Sequence, residues 1–316
     1  MADTQTALAQ QLDRPLTGAR GYRAEPMWRL VLRRFLMHRL AAASAVLLLL
    51  LSLASIFAFL APHDPATINA AERLQPPSAT YWLGTDLLGR DVFSRLLYGG
   101  RISLSVGLLS TAVALLIGTT IGALAGYFGG AIDNALMRLV DVFLSFPSLF
   151  ILIVIGSVLR NSQLAQFRGG LLPLAVIIGL LSWMTVARVV RATFLSLREV
   201  EFVEAARALG ASDLRIMLLH ILPGAVGPII VQGTLQVAYS ILVESGLSYL
   251  GFGIQPPTPS WGNMLNDAQR FMTRLPWLAV MPGAMIFLTV LAINYVGDGL
   301  RDALDPRSRS TMRQAR

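Results

Sequence analysis

Six long apolar stretches divide this chain, and they constrain its fold more than any other feature. Each is long enough to cross a hydrocarbon layer about 30 Å thick as a helix of ~20 residues. Only 14% of the chain is charged, whereas a soluble domain carries about 25% charged residues. The sequence therefore predicts an all-α membrane protein with six transmembrane helices. Their predicted ranges are residues 40–60, 102–126, 142–159, 171–187, 226–252 and 277–296.

The basic residues indicate which ends of these helices face the cytoplasm. All 26 basic residues are arginine. Eighteen of them lie before the first stretch, beside the third at Arg138, between the fourth and fifth, or after the sixth. Because positive charge collects on the cytoplasmic side, both termini are predicted to be cytoplasmic. Membrane topology thus accounts for the net charge of +8, and nucleic acid is not an expected partner.

These stretches suggest four consecutive parts. Residues 1–38 form a cytoplasmic N-terminal segment, and residues 39–100 contain the first span and an extracytoplasmic loop. Within that loop, Val92, Leu96 and Leu97 predict a short amphipathic helix, beginning at Asp91, that lies on the membrane before the second span. Residues 101–297 form a core of five transmembrane helices with a cytoplasmic hairpin, and residues 298–316 form a cytoplasmic tail.

The hairpin, residues 197–223, is a charged segment between the fourth and fifth stretches. Its first helix is predicted to end at Gly210, because glycine tolerates the left-handed conformation that terminates helices. Ser212 fits the N-cap of a second helix, with Asp213 in its first turn. That helix is predicted to stop near Pro223. Amphipathicity leaves two interpretations open: a connector resting on lipid headgroups, or a docking site for a partner protein.

Four adjacent residues of the hairpin favour the docking interpretation: Glu204, Ala205, Ala206 and Arg207. The two alanines are expected to expose the helix backbone to close approach by a partner. The charged side chains on either side offer directional contacts, as in interfaces that combine a small packed centre with a polar rim.

Three glycines in the second stretch, Gly118, Gly122 and Gly126, form two overlapping GxxxG units. Such units let two helices approach closely within a membrane, so they predict helix packing. The chain has no GxxxxGK[ST] phosphate loop and is not expected to bind ATP. It contains no cysteine and no HExxH or GxSxG pattern. Neither a metal site nor a catalytic residue is therefore expected.

The hairpin sequence resembles the cytoplasmic loop of ABC-importer permeases. In that loop the motif EAA and a Gly are separated by three residues, and nine further residues separate this Gly from I-x-LP. Here Glu204–Ala205–Ala206 precede Gly210 at this spacing, and Leu222–Pro223 close the pattern, with His220 replacing the isoleucine. Four other stretches are similar to the second permease subunit of dipeptide and oligopeptide importers: LGTDLLGRDVFSRLLYGGRISL, GYFGGAIDNALMRLVDVFLSFP, LSYLGFGIQPPTPSWG and GDGLRDALDPR.

The resemblance implies a type I ABC-importer permease fold in the bacterial inner membrane. It also implies three kinds of partner: a sister permease, two ATPase subunits that bind ATP and Mg²⁺, and an extracytoplasmic binding protein. The hairpin would couple the ATPases to transport, and the coupling residues would be Glu204, Ala205, Ala206, Arg207, Gly210 and Asp213.

Polar residues recur every four positions along the fifth stretch. Either they form hydrogen bonds between helices, or they line a translocation pathway. A buried carboxylate costs roughly 2.5–3.5 kcal/mol on membrane-insertion scales, so Glu244 is expected to hold an outer gate or to meet a peptide amino group. The candidates for the pathway are Gln232, Gln236, Ser240 and Glu244.

Small peptides are the expected cargo, although glutathione, a nickel chelate or another small solute fits the same machinery. A stand-alone secondary transporter would be expected to show inverted repeats or several intramembrane charges. A membrane scaffold that transports nothing is a third alternative. Co-purification discriminates among these, because only an importer permease should retain ATPase and sister permease subunits.

Overall fold

A computed structural model describes residues 27–160 and 170–304. The N-terminal residues 1–26, the segment 161–169 and the tail residues 305–316, all covered by the sequence predictions, lie outside this description. Within the described residues the chain is helical, and its loops contain one isolated bridge between Thr85 and Asp91. The helices are α1 Met27–Met37, α2 Arg39–Ile56, α3 Val92–Phe128, α4 Gly130–Leu144, α5 Ser148–Arg160, α6 Leu171–Leu180, α7 Trp183–Leu197, α8 Glu201–Ala208, α9 Asp213–Tyr249, α10 Trp261–Ala268 and α11 Trp277–Leu304.

Four of these helical segments are long and apolar enough to cross a membrane without a break: Arg39–Leu60, α3, α9 and α11. The third and fourth predicted spans are instead bent pairs. Helices α4 and α5 meet at 72°, and α6 and α7 meet at 46°. The first bend lies at Pro147, whose ring and missing N–H oppose a continuous helix. The described chain therefore has four spans, or up to six if each bent pair crosses once.

Helix α3 corrects the prediction for the residues that follow Asp91. Asp91 is the N-cap, and its carboxylate accepts a hydrogen bond from the Ser94 amide at 2.9 Å. The helix then continues unbroken through the predicted boundary at residue 100. Val92 and Leu96 are buried in a cluster that includes Trp261. The prediction of a separate helix lying on the membrane was therefore wrong.

Helix α9 corrects the predicted stop at Pro223. It begins as an α-helix, passes through a π-helical segment, Ile216–Ile221, and continues as an α-helix over Leu222–Tyr249. Pro223 lies in the first turn of this last part, where a missing backbone N–H costs least. The wider π turns precede the proline and accommodate it. In the same way, α11 continues through the predicted tail boundary at residue 298.

The glycine stripe of α3 lies directly against α7. An added Cβ would be 2.6 Å from the Val186 Cβ at Gly118, 2.8 Å from the Val190 Cβ at Gly122 and 2.6 Å from the Phe194 Cβ at Gly126. No real side chain fits at those distances, so all three positions require glycine for this packing.

Two apolar clusters mark opposite ends of the bundle. At the hairpin end, the last turns of α3 and α7 pack with α8 and the start of α9. At the far end, the start of α3 packs with α10 and the start of α11. The connections 61–91 and 250–276 therefore share the far end, where Asp267 accepts hydrogen bonds from Arg90 at 2.9 Å and from Arg95 at 3.3 Å.

Candidate functional site

The hairpin turn is fixed by the backbone of α8. Gly210 has φ = +82°, the left-handed conformation that glycine adopts at no steric cost. Its N–H donates to the Arg207 carbonyl at 3.0 Å, and the Ala211 N–H donates to the Ala206 carbonyl at 3.1 Å. This pair of bonds is a Schellman motif. Helix α8 ends where the sequence predicted. It begins at Glu201 and not at residue 197, because Leu197 is the last residue of α7.

The inner face of α8 anchors it to three transmembrane helices. Val203 is fully buried and Ala206 is 8% exposed, in a cluster with residues of α3, α7 and α9. At the start of α9, Asp213 accepts a hydrogen bond from the Tyr127 hydroxyl of α3 at 2.6 Å. Arg198, just after α7, donates to the Gly126 and Tyr127 carbonyls of α3, both at 3.3 Å. The hairpin is thus held rigidly on the ends of these helices.

The outer face of the hairpin carries apolar side chains among charges. Leu209 is 89% exposed and Leu214 is 65% exposed, and exposed apolar patches rimmed by polar residues commonly mark interaction sites. We call this surface the hairpin face. It consists of Phe202, Glu204, Ala205, Arg207, Leu209 and Leu214.

One expectation about the coupling residues changes with these positions. Ala206 faces inward, so the expectation that both alanines are exposed holds for Ala205 only. Asp213 is exposed as a residue, but its carboxylate is engaged by Tyr127.

The two bends of the bundle and α9 enclose a groove of about 460 Å³. Gln232 and Gln236 lie on its wall, together with Tyr239. The opposite wall comes from both bends, which the sequence did not predict. Its residues include Phe143, Phe146, Pro147, Leu181, Ser182 and Thr185.

Ser240 and Glu244 do not line this groove. Both are completely buried, and the Gln236 side-chain amide donates to the Ser240 hydroxyl at 3.3 Å. The four pathway candidates therefore separate into two groups. Gln232 and Gln236 border open space, whereas Ser240 and Glu244 lie within the protein and do not border this groove, so a pathway role for the latter two stays a prediction.

Glu244 is surrounded by serine hydroxyls at the far end of α9. Its carboxylate accepts hydrogen bonds from Ser103 at 2.9 Å and from Ser248 at 2.7 Å. Ser245 lies farther away, at 3.4 Å. Because a buried carboxylate is tolerated only with such partners, these hydroxyls explain how the helix accommodates it.

Comparison with known proteins agrees with this architecture. Residues 118–310 match the family described as binding-protein-dependent transport system inner membrane component. Residues 26–77 match the N-terminal transmembrane domain of oligopeptide transport permease C. The two matched regions cover α1 and α2 at one end of the sequence and nearly everything from the glycine stripe onward.

Three relatives match almost end to end. A glutathione transport system permease protein of Pectobacterium atrosepticum is 42% identical over 285 residues, 90% of this chain and 92% of its own length. A dipeptide transport system permease protein of Alkalihalophilus pseudofirmus is 41% identical over 290 residues, 92% of this chain and 93% of its own. A glutathione transport system permease protein of Escherichia coli is 43% identical over 282 residues, 89% of this chain and 90% of its own. This chain therefore belongs to the family of inner membrane components of binding-protein-dependent transport systems, as a permease of the ABC-importer class.

Proposed function

We propose that this permease imports small peptides and is driven by two partner ATPases that dock on the hairpin face. The observation that carries this proposal is the combination of a rigid inner face and an exposed outer face on one short helix. Val203 and Ala206 fix α8 to the membrane helices, while Glu204, Ala205 and Arg207 face outward. A push on the outer face must therefore move the ends of α3, α7 and α9 together.

The topology that serves this function has six spans, with each bent pair crossing the membrane once. The hairpin then lies in the cytoplasm. The arginines between α7 and α9 favour this side, because positively charged loops collect there. Helices α3 and α9 run in opposite directions, as this topology requires, since their far ends meet at α10 and their near ends meet at the hairpin. Both termini share the cytoplasmic side with the hairpin.

ATP and Mg²⁺ would be bound by the ATPases, because this chain carries no phosphate loop. A sister permease would close the groove between α9 and the two bends, where Phe146 at the first bend and Tyr239 of α9 are 57% and 44% exposed. A binding protein would deliver cargo at the far end of the bundle. The lipid bilayer covers the remaining apolar surface.

The cargo is a small peptide, and the relatives' names divide between dipeptide and glutathione transport. The groove suits either, because Gln232 and Gln236 offer amide donors and acceptors of the kind that pair with peptide bonds. Uptake measurements distinguish a dipeptide cargo from glutathione. Cells lacking this chain should lose ATP-dependent uptake of a labelled dipeptide or of labelled glutathione and regain it when the chain is restored. Unchanged uptake of both would contradict the proposed cargo.

Replacing Gln232 with leucine is expected to raise the KM for uptake about five- to tenfold with a smaller change in kcat, because one amide contact to the cargo is lost. Uptake rates over a range of cargo concentrations provide the measurement. Thr120→Val is the matched control, since the Thr120 hydroxyl donates only to the Leu116 carbonyl of its own helix, at 2.8 Å. Equal KM values for both variants would show that Gln232 does not contact the cargo.

A further inference from the structure

Glu244 is the centre of two hydrogen-bond relays that end on the backbone of another segment. The Trp261 N–H donates to the Ser103 hydroxyl at 3.3 Å, and that hydroxyl donates to one carboxylate oxygen of Glu244. The Ile254 N–H donates to the Ser248 hydroxyl at 3.0 Å, and that hydroxyl donates to the other oxygen. Both relays point toward the carboxylate, which can only accept when ionised.

The backbone amides at the ends of these relays belong to the far loop, residues 250–260, and to the first residue of α10. The start of α10, which follows this loop, lies directly on the bundle. A Cβ at Gly262 would be 2.7 Å from the Ser248 Cβ, and a Cβ at Gly100 would be 2.8 Å from the Trp261 ring. The Trp261 indole N–H also donates to the Leu96 carbonyl of α3, at 3.0 Å. Glu244 therefore joins three segments: α3, α9 and the far loop.

The same two helices are joined again at the hairpin end. Tyr127 of α3 donates to Asp213 of α9 at 2.6 Å, and Ser103 of α3 donates to Glu244 of α9 at 2.9 Å. Helices α3 and α9 have 37 residues each, so each is about 55 Å long. Side-chain hydrogen bonds thus connect the pair near both ends, with the hairpin face at one end and the far loop at the other.

We propose that Glu244 is a positioning residue that makes α3, α9 and the far loop one rigid body, so that movement of the hairpin face reaches the far loop. The hairpin movement rests on the function proposed above, whereas the anchoring of the loop does not. This role also replaces a direct contact between Glu244 and cargo. The side chain is completely buried and is separated from the groove that Gln232 and Gln236 line.

Thiol labelling tests the anchoring, because the chain contains no cysteine. Ile254 is 2% exposed, so the thiol introduced by Ile254→Cys should react slowly with a membrane-impermeant maleimide in the assembled complex. Adding Glu244→Ala or Ser248→Ala should speed that reaction about tenfold, as expected when a buried network loses a member. Adding Glu244→Gln should change it by less than about threefold, since the amide oxygen still accepts from one serine hydroxyl and the amide NH2 can donate to the hydroxyl oxygen of the other.

Ser110→Ala is the matched control, because the Ser110 hydroxyl is buried on α3 but donates only to the Val106 carbonyl of its own helix, at 2.7 Å. It should leave the labelling rate unchanged. If Glu244→Ala prevents assembly, Ser248→Ala still removes the Ile254 relay alone. Equal labelling in Ser248→Ala and Ser110→Ala would overturn the anchoring.

The ratio of cargo imported to ATP hydrolysed in the reconstituted complex tests the transmission of movement. Glu244→Ala should lower this ratio about tenfold, because hydrolysis continues while the far loop no longer follows, and Glu244→Gln should preserve it. An unchanged ratio with Glu244→Ala would overturn the transmission of movement. An equal loss of this ratio with Glu244→Gln would also overturn it, because the negative charge of Glu244 rather than its hydrogen bonds would then explain the effect. Failure of the proposed function would differ from both outcomes, since the unmodified complex would then import no peptide while its labelling pattern persisted.

Discussion

Replacing Glu204 with arginine is expected to lower peptide uptake about a hundredfold, because losing a charged contact in a desolvated interface costs roughly 3 kcal/mol. Glu204 is exposed on the hairpin face beside Ala205 and Arg207, where the resemblance to importer permeases assigns contact with an ATPase. Its substitution leaves the buried face of α8 intact, since Val203 and Ala206 carry the packing. The variant should therefore still reach the membrane in normal amounts.

Two measurements check this prediction: the uptake rate and the amount of ATPase subunit that co-purifies with the permease. Both should fall together in Glu204→Arg. Asp302→Arg is the matched control, because Asp302 is an exposed carboxylate near the hairpin end but lies on α11. It should retain uptake and ATPase subunits. A similar loss in both variants would indicate an effect of net charge, and no loss in Glu204→Arg would exclude a docking contact there.

Replacing Gly210 with proline is expected to abolish uptake, because proline fixes φ near −65° where the turn requires +82°. Proline also removes the N–H that bonds to the Arg207 carbonyl. The two helices of the hairpin would then leave the turn in a different direction, and the hairpin face would no longer match its partner. The transmembrane packing of α3 on α7 lies outside this turn and should persist.

Milder replacements at Gly210 distinguish the effect of backbone strain from the loss of the hairpin face. A Cβ at Gly210 would meet no atom within 4 Å, and the same holds at Gly130, which also has a positive φ of +53°. Alanine at either position therefore adds the same kind of strain, about 1–2 kcal/mol. Gly210→Ala should reduce uptake and Gly130→Ala should not, while Gly210→Asn should approach normal uptake because asparagine tolerates this conformation. Normal uptake in Gly210→Pro would show that the turn geometry does not matter.

Local backbone chemistry made part of this architecture predictable. Gly210 ends α8 because few other residues adopt its conformation. The glycines Gly118, Gly122 and Gly126 bring α3 onto α7 because their spacing places them on one helix face. The apolar stretches likewise predicted helices throughout the described core, since length and hydropathy depend only on neighbouring residues.

Features set by distant contacts were not predictable from the sequence. Pro223 was expected to end a helix, but packing of Ile216, Met217 and Ile221 in the hairpin-end cluster supports a π segment that continues it. The neighbours of Glu244 include Ser103, 141 positions away, and only the fold brings them together. Without that contact, the stripe of polar residues on α9 could not be divided into groove-lining amides and buried hydrogen-bonding groups.

The hairpin face and the far loop therefore lie at opposite ends of the same two long helices. Tyr127 and Asp213 join these helices where a motor would push, and Ser103 and Glu244 join them where cargo would arrive. Under the proposed function, this arrangement would give an ATP-binding partner a mechanical route from one end of the bundle to the other.

Site-directed cross-linking tests the contact with the motor most directly. Leu209→Cys places a thiol on the hairpin face at the end of α8, at a residue that is 89% exposed. A short thiol-to-amine cross-linker should join it to an ATPase subunit in membranes that contain the whole complex. The same thiol from Leu60→Cys, at a residue 72% exposed just after α2, should not be joined. Cross-linking of Leu209→Cys to an ATPase subunit is the result we predict, and its absence from an assembled, transporting complex would contradict the account.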